Sequence, residues 1–178
     1  MTAPEFSRPV RIDTIGDTPR VLEIVADEAE RAALARRFDL LAIGRLAASL
    51  SLTRTGAEVA LGGKLSAAVT QVCAATGVPL AATIETPFAL VFRPDPEGLA
   101  ESEEVELAPD ELDIVFYEGG AIDVGEAVAE TLLLNLDPYP RAPDAAERLR
   151  QAGVKDESEA GPFAALAGLR DQLKGDAP

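Results

Sequence analysis

The stretch that decides the fold is residues 80–92, LAATIETPFALVF, which shows the clearest alternation of side chains in the chain. A period of two places every second side chain on the same face of a β-strand. Because proline lacks a backbone N–H, Pro87 predicts that this strand lies at a sheet edge or carries a bulge. The side chains predicted to share one face are Leu80, Ala82, Ile84, Thr86, Phe88, Leu90 and Phe92.

The preceding segment predicts two further strands. The first begins at Leu46 and places apolar side chains on one face. The second is expected over Glu58–Leu61 and Leu65–Cys73, with a bulge or bend at Gly62-Gly63 between its two parts. We therefore expect residues 46–93 to form an antiparallel meander with one buried face. The apolar face of its first strand consists of Leu46, Ala48, Leu50 and Leu52.

Shorter strands are expected at both sides of this meander. Val10–Ile15 and Arg20–Ala26 predict an N-terminal hairpin, because Gly16-Asp17-Thr18-Pro19 between them has the composition of a turn. Leu112–Tyr117 is predicted to be a further strand.

An aspartate followed three residues later by a glutamate, the spacing of a capping box, marks the start of two predicted helices. The first follows Asp27 and covers Glu28–Arg37, and the second follows Asp123 and covers Val124–Leu136. Residues 132–136 are apolar nearly all round the helix, so we expect them to be deeply buried.

Together these elements predict an α+β fold. It consists of an antiparallel sheet (the N-terminal hairpin plus the three-strand meander), two main helices and a short C-terminal helix. We expect a single domain over residues 1–143, with a mobile acidic loop at 95–111. Residues 144–178 are expected to form a polar linker, with a candidate helix at Ala145–Ala152, and a short amphipathic tail helix at Pro162–Leu173.

Negative charge is concentrated in one part of the chain. The formal net charge is −15, and residues 65–140 contribute −14 of it, with fifteen acidic side chains against one basic side chain. Such a segment repels a phosphate backbone and attracts basic partners, although a high net charge also serves solubility alone. The acidic candidates for partner binding are Glu101, Glu103, Glu104 and Glu106.

The composition argues against most catalytic chemistry. The chain has no histidine, which removes Ser-His and Cys-His nucleophiles and histidine metal ligands. Its one cysteine, Cys73, cannot form an intramolecular disulfide or a Cys/His zinc site, and burial in an apolar strand is favoured over reactivity. We therefore expect a protein that is not an enzyme and has no catalytic residues, cofactor or metal. A carboxylate- and metal-dependent RNA-processing enzyme is the alternative, but no convergent site supports it.

The expected compartment is the cytoplasm. Met1–Val10 lacks the apolar core of a secretory signal, and the apolar runs are shorter than the ~18–20 residues that span a bilayer. No membrane partner is expected.

Two groups of side chains are candidates for contact with RNA. Arg36 and Arg37 are adjacent on the first predicted helix, while Tyr139 and Arg141 belong to a stiff Pro-Tyr-Pro-Arg segment. An aromatic ring can stack on an unpaired base and an arginine can contact phosphate. The residues alone favour a structural role instead, in which Tyr139 packs on the sheet, Arg141 pairs with an acid and the helix arginines are solvated.

Four stretches of the chain share their order and spacing with one protein family. They are ERAALARRF (residues 30–38), AVTQVCAATGVPL with IETPF (68–80 and 84–88), IDVGE with LDPYPR (122–126 and 136–141), and PFAAL (162–166). In these motifs the chain resembles the YceD family, the large ribosomal RNA subunit accumulation proteins. It departs from that pattern at Thr76, where many relatives have the second cysteine of Cys-x-x-Cys, and at Gly161, where asparagine often precedes the proline.

This resemblance implies a role in ribosome biogenesis, because relatives support the accumulation of 23S ribosomal RNA and of the large subunit. The implied partner is a pre-50S particle, a basic ribosomal protein or 23S rRNA, with no small-molecule substrate and no catalytic residues. The alternative is an acidic protein-binding module, or a chaperone for a basic ribosomal protein, with no direct role in rRNA accumulation.

Overall fold

A computed structural model describes residues 4–95 and 113–154 of the chain. The fold divides into two compact units. The first comprises Met1–Gln71 and Ala81–Pro138, and the second comprises Val72–Leu80 and Tyr139–Pro178. Helices and strands are both present, which confirms the predicted α+β class. The predicted tail helix at 162–173 lies outside the described residues.

The described strands form two sheets. The strands are β1 (Pro9–Arg11), β2 (Arg20–Val25), β3 (Ala42–Thr55), β4 (Glu58–Val72), β5 (Pro79–Pro94), β6 (Ile114–Tyr117) and β7 (Ala121–Asp123). The larger sheet has the order β2-β3-β4-β5-β6; β3 pairs antiparallel with β2 and β4, whereas β6 pairs parallel with β5. The prediction of a purely antiparallel sheet was therefore wrong. A parallel pair requires a long connection, which residues 95–113 provide between β5 and β6.

The predicted N-terminal hairpin was also wrong. β1 pairs antiparallel with β7, where Val10 lies opposite Ile122, and both side chains are buried in the core. A single 3₁₀ turn over Ile12–Thr14 follows β1, and the Ile12 N–H donates to the Gly120 carbonyl at 3.0 Å. β2 instead continues the large sheet beside β3. Burial of Val10 against a distant strand therefore outweighs the turn chemistry of residues 16–19.

The described helices are α1 (Glu28–Arg37), α2 (Val124–Leu134) and α3 (Ala145–Gln151). α1 has the predicted bounds and a complete capping box, with Asp27 and Glu30 each accepting the other's backbone N–H at 2.8 Å. Only one of the two hydrogen-bonding partners of the predicted capping box is present at α2. Asp123 accepts from two amides of the first turn, but the carboxylate of Glu126 binds Arg37 instead of the N-cap backbone.

The Gly62-Gly63 pair does not interrupt β4. The strand runs through both glycines, and the register shift lies on β3, between Ile43 and Arg45. A Cβ atom at Gly63 would lie 2.7 Å from the Ser49 carbonyl oxygen, which explains the glycine by the close approach of β3. The predicted bulge or bend at this pair was therefore wrong.

The core lies on one face of the large sheet, under α1 and α2. The apolar side chains of β3 that were predicted to face inwards are buried, as is Phe92 of β5. The other side chains of the β5 alternation are half-buried. Pro87 lies outside the stretch of β5 that pairs with β6, which spans Val91 to Pro94, in agreement with a position at an open edge.

The end of α2 is more exposed than the sequence predicted. Leu132 is buried, whereas Leu133 is 46% exposed and Leu134 is 85% exposed. The buried stripe of this helix follows the helical period through Val124, Val128 and Leu132, and the last two leucines lie beside that stripe. The helix also ends at Leu134, two residues before the predicted end at Leu136.

Candidate partner-binding surface

The second unit is built around a turn at Cys73–Val78. The Cys73 N–H donates to the Val78 carbonyl at 2.8 Å, and the Gly77 N–H donates to the Cys73 carbonyl at 2.9 Å. Gly77 has a φ of 74°, a left-handed conformation that glycine adopts without strain. These hydrogen bonds fix the backbone of the turn, to which the chain after Pro138 is bound.

Cys73 anchors that later chain. Its side chain is buried, as predicted, and its Sγ accepts the Ala142 N–H at 3.3 Å. Thr76 Oγ1 is buried without a standard hydrogen bond to any described residue. Its interaction with the sulfur, followed by that of the Ala142 amide, lowers the pKa of the Cys73 thiol to about 7. The side chain is buried in a small apolar cluster with Ala142 and Ala145.

The segment after Pro138 directs alternate side chains outwards. Tyr139 is 77% exposed and Arg141 is exposed, while Pro140 is half-buried and Ala142 is buried. The Ala74 N–H donates to the Pro140 carbonyl at 2.8 Å, which holds the segment in this register. Of the two predicted structural roles, the packing of Tyr139 on the sheet is therefore wrong, and Arg141 forms no ion pair with any described residue.

α3 adds two more arginines to the second unit. Arg148 pairs with Asp144 at 2.7 Å, and Arg150 Nε donates to the Ala146 carbonyl at 3.4 Å. The helix packs through Ala145 in a small apolar cluster with Cys73 and Ala142. Arg141, Arg148 and Arg150 thus lie in one unit.

The other two arginines predicted to contact RNA, Arg36 and Arg37, belong to the first unit, and their contacts differ from those of Arg141. Arg37 donates to Glu126 at 2.6 Å and to Glu5 at 3.0 Å, and the bond to Glu126 is the main cause that raises the pKa of Arg37. Arg36 is exposed and forms no ion pair with a residue that the structure describes. Arg37 therefore ties α1 to α2, a role that its position in the sequence did not indicate.

A similar ion pair holds the N-terminal segment on α1. The guanidinium of Arg8 donates to both carboxylate oxygens of Glu30, at 2.6 and 2.8 Å. These hydrogen bonds are the main cause that lowers the pKa of Glu30. The same arginine also donates to the Val25 carbonyl at 3.2 Å, so it joins the N-terminal segment to the end of β2.

The acidic candidates Glu101, Glu103, Glu104 and Glu106 lie outside the described residues. Within residues 4–95 and 113–154, no group of three or more Cys, Asp or Glu side chains is placed to hold a metal ion. None of the helices in those two ranges is long and apolar enough to cross a membrane.

Comparison with known proteins gives the chain its family. The family model described as large ribosomal RNA subunit accumulation protein YceD matches residues 61–170. This range contains the turn at Cys73, the segment of Tyr139 and Arg141, and α3. Neither the curated proteins nor the solved structures gave a match. Because the family model covers more than half of the 178 residues, the chain belongs to the YceD family of large ribosomal RNA subunit accumulation proteins.

Proposed function

We propose that the chain is a non-enzymatic ribosome biogenesis factor of the cytoplasm. It supports the accumulation of 23S ribosomal RNA and the assembly of the large subunit by binding a component of the precursor particle. The observation that carries this proposal is membership of a family described by accumulation of the large ribosomal RNA. The absence of histidine and of any convergent catalytic set in the sequence supports a binding role over catalysis.

The distribution of charge fits a ribosomal precursor. Residues 65–140 carry a net charge of −14, whereas residues 141–178 carry six basic and seven acidic side chains, a net charge of −1. A precursor particle exposes both phosphates and basic proteins. The acidic segment attracts basic proteins, and the exposed arginines of the nearly neutral C-terminal segment can contact phosphates.

A second candidate function follows from the acidic excess alone. A chain that only chaperones a basic ribosomal protein would use the carboxylates around residues 101–106 and would not need the arginine-bearing unit. This candidate predicts binding to the isolated protein and no association with the particle.

Sedimentation separates the two candidates. In a lysate from growing cells, the tagged chain is expected to migrate with large-subunit precursors and to be absent from mature ribosomes. Recovery only with free basic ribosomal proteins would favour the second candidate, and recovery only at the top of the gradient would contradict both.

The acidic segment is tested in the same gradients. Replacement of Glu101, Glu103, Glu104 and Glu106 by glutamine should weaken the association and reduce its sensitivity to salt, because exposed charges are screened over ~10 Å at 0.1 M salt. The matched control makes the same charge change at the exposed residues Glu23, Glu28, Glu118 and Glu130 of the first unit. Equal losses in the two variants would mean that only the net charge matters.

A further inference from the structure

We propose that the exposed face of the Pro-Tyr-Pro-Arg segment binds an unpaired, single-stranded part of ribosomal RNA, with Tyr139 stacked on a base and Arg141 on a phosphate. This inference rests on the proposed function and names the partner of the second unit. Its starting point is the exposure of Tyr139 and Arg141, two residues apart in a segment whose backbone is anchored in the second unit.

The segment is held in place before any partner arrives. Its backbone is fixed by the bond from Ala74 to Pro140 at 2.8 Å and by the bond from Ala142 to the Cys73 sulfur at 3.3 Å. The prolines on either side of Tyr139 further restrict the backbone. A contact surface that is already ordered loses little conformational entropy on binding, which favours affinity.

The chemistry of the exposed side chains matches a single strand. Every base has a π-face, so an exposed aromatic ring stacks on unpaired bases without regard to sequence, whereas the bases of a duplex are already stacked. Arg141 has no ion pair within residues 4–95 and 113–154, so a phosphate does not have to displace any carboxylate of those two ranges. Arg150 belongs to the same unit and adds positive charge, whereas the charge of Arg148 is offset by its ion pair with Asp144.

Charge also favours RNA over a basic protein at this surface. Arginines repel the lysine- and arginine-rich proteins that the acidic part of the chain attracts. Conversely, the −14 charge of residues 65–140 disfavours contact between that segment and RNA, whereas the charges of residues 1–64 balance. The exposed arginines after Pro140 are therefore the expected point of contact with phosphate in the second unit.

The test measures the affinity of the purified full chain for a labelled oligouridylate of about 12 nucleotides and for a duplex of the same length, at low salt. The wild-type chain should prefer the single strand. Tyr139→Ala should weaken binding about tenfold, and Tyr139→Phe should not, since stacking does not need the hydroxyl group. Arg141→Glu should also weaken binding and flatten its salt dependence.

Two controls make the same changes in the first unit. Phe116→Ala removes another exposed aromatic ring, and Arg20→Glu reverses another exposed charge. Both controls should bind RNA like the wild-type chain. If Tyr139→Ala lowers the melting temperature, Tyr139→Leu keeps the apolar bulk without the aromatic face and gives the same test.

The inference is overturned if the wild-type chain does not bind the single strand, or if Tyr139→Ala and Arg141→Glu bind within about twofold of wild type. It is also overturned if these changes weaken binding to an isolated basic ribosomal protein and leave RNA binding intact. None of these outcomes affects sedimentation with precursor particles, so the proposed function can stand when this inference fails.

Discussion

Leu132→Ala is expected to lower the free energy of unfolding by about 2–5 kcal/mol, the usual cost of a large cavity in a packed core. Leu132 is fully buried and belongs to the same core cluster as Val128 and Val124, one and two helical turns before it. Its removal takes apolar surface out of the stripe that holds α2 on the sheet. A small domain has only ~5–15 kcal/mol of stability, so this substitution would remove a large fraction of the total.

Leu134→Ala is the matched control, two residues further along the same helix. Its side chain is 85% exposed, so the same substitution should change stability by less than about 0.5 kcal/mol. Urea unfolding of both variants measures the difference, provided that the slopes of the transitions agree. Equal losses at the two positions would show that the end of α2 is buried all round, as the apolar sequence suggested.

Gly125→Ala is expected to destabilise the fold by about 2–3 kcal/mol, although alanine is the better helix former by ~1 kcal/mol. An added Cβ atom would overlap the carbonyl oxygen of Phe6 and lie 3.0 Å from the Arg8 nitrogen. The backbone from Phe6 to Arg8 has little freedom to move away from the added atom. Phe6 is fully buried, and the Arg8 N–H donates to Asp123 at 2.8 Å.

Gly120→Ala controls for the loss of a glycine. A Cβ atom at that position meets no atom within 4 Å, and its backbone is not in the left-handed region. Thermal unfolding should therefore show a large decrease in melting temperature for Gly125→Ala and little change for Gly120→Ala. A stabilising effect of Gly125→Ala would mean that the N-terminal segment does not pack against the start of α2.

The elements that could be predicted from the sequence are those whose signals are local. The bounds of α1 follow from Asp27 and Glu30, three residues apart, and the buried face of β3 follows from strict alternation. The pairing of β1 with β7 has no local signal, because it depends on residues more than a hundred positions apart, such as Ser7 and Asp123. The parallel pairing of β6 with β5 also has no local signal, since alternation of side chains does not reveal strand direction or partner.

The residues of the candidate surface could be predicted from the sequence, but the contacts that hold them in place could not. Tyr139 and Arg141 stood out because they lie in a proline-rich segment. Nothing in the sequence indicated that Cys73, 69 residues before Ala142, would anchor that segment. In the same way, Arg37 was an RNA candidate on its helix until the fold placed Glu126, 89 residues away, within hydrogen-bonding distance.

The most direct test of the central claim is the ratio of 23S to 16S ribosomal RNA in cells depleted of this protein, compared at matched growth rate. A role in large-subunit biogenesis predicts that the ratio falls, that large-subunit precursors accumulate, and that the wild-type chain restores both. An unchanged ratio, with normal large subunits in the depleted cells, would contradict it.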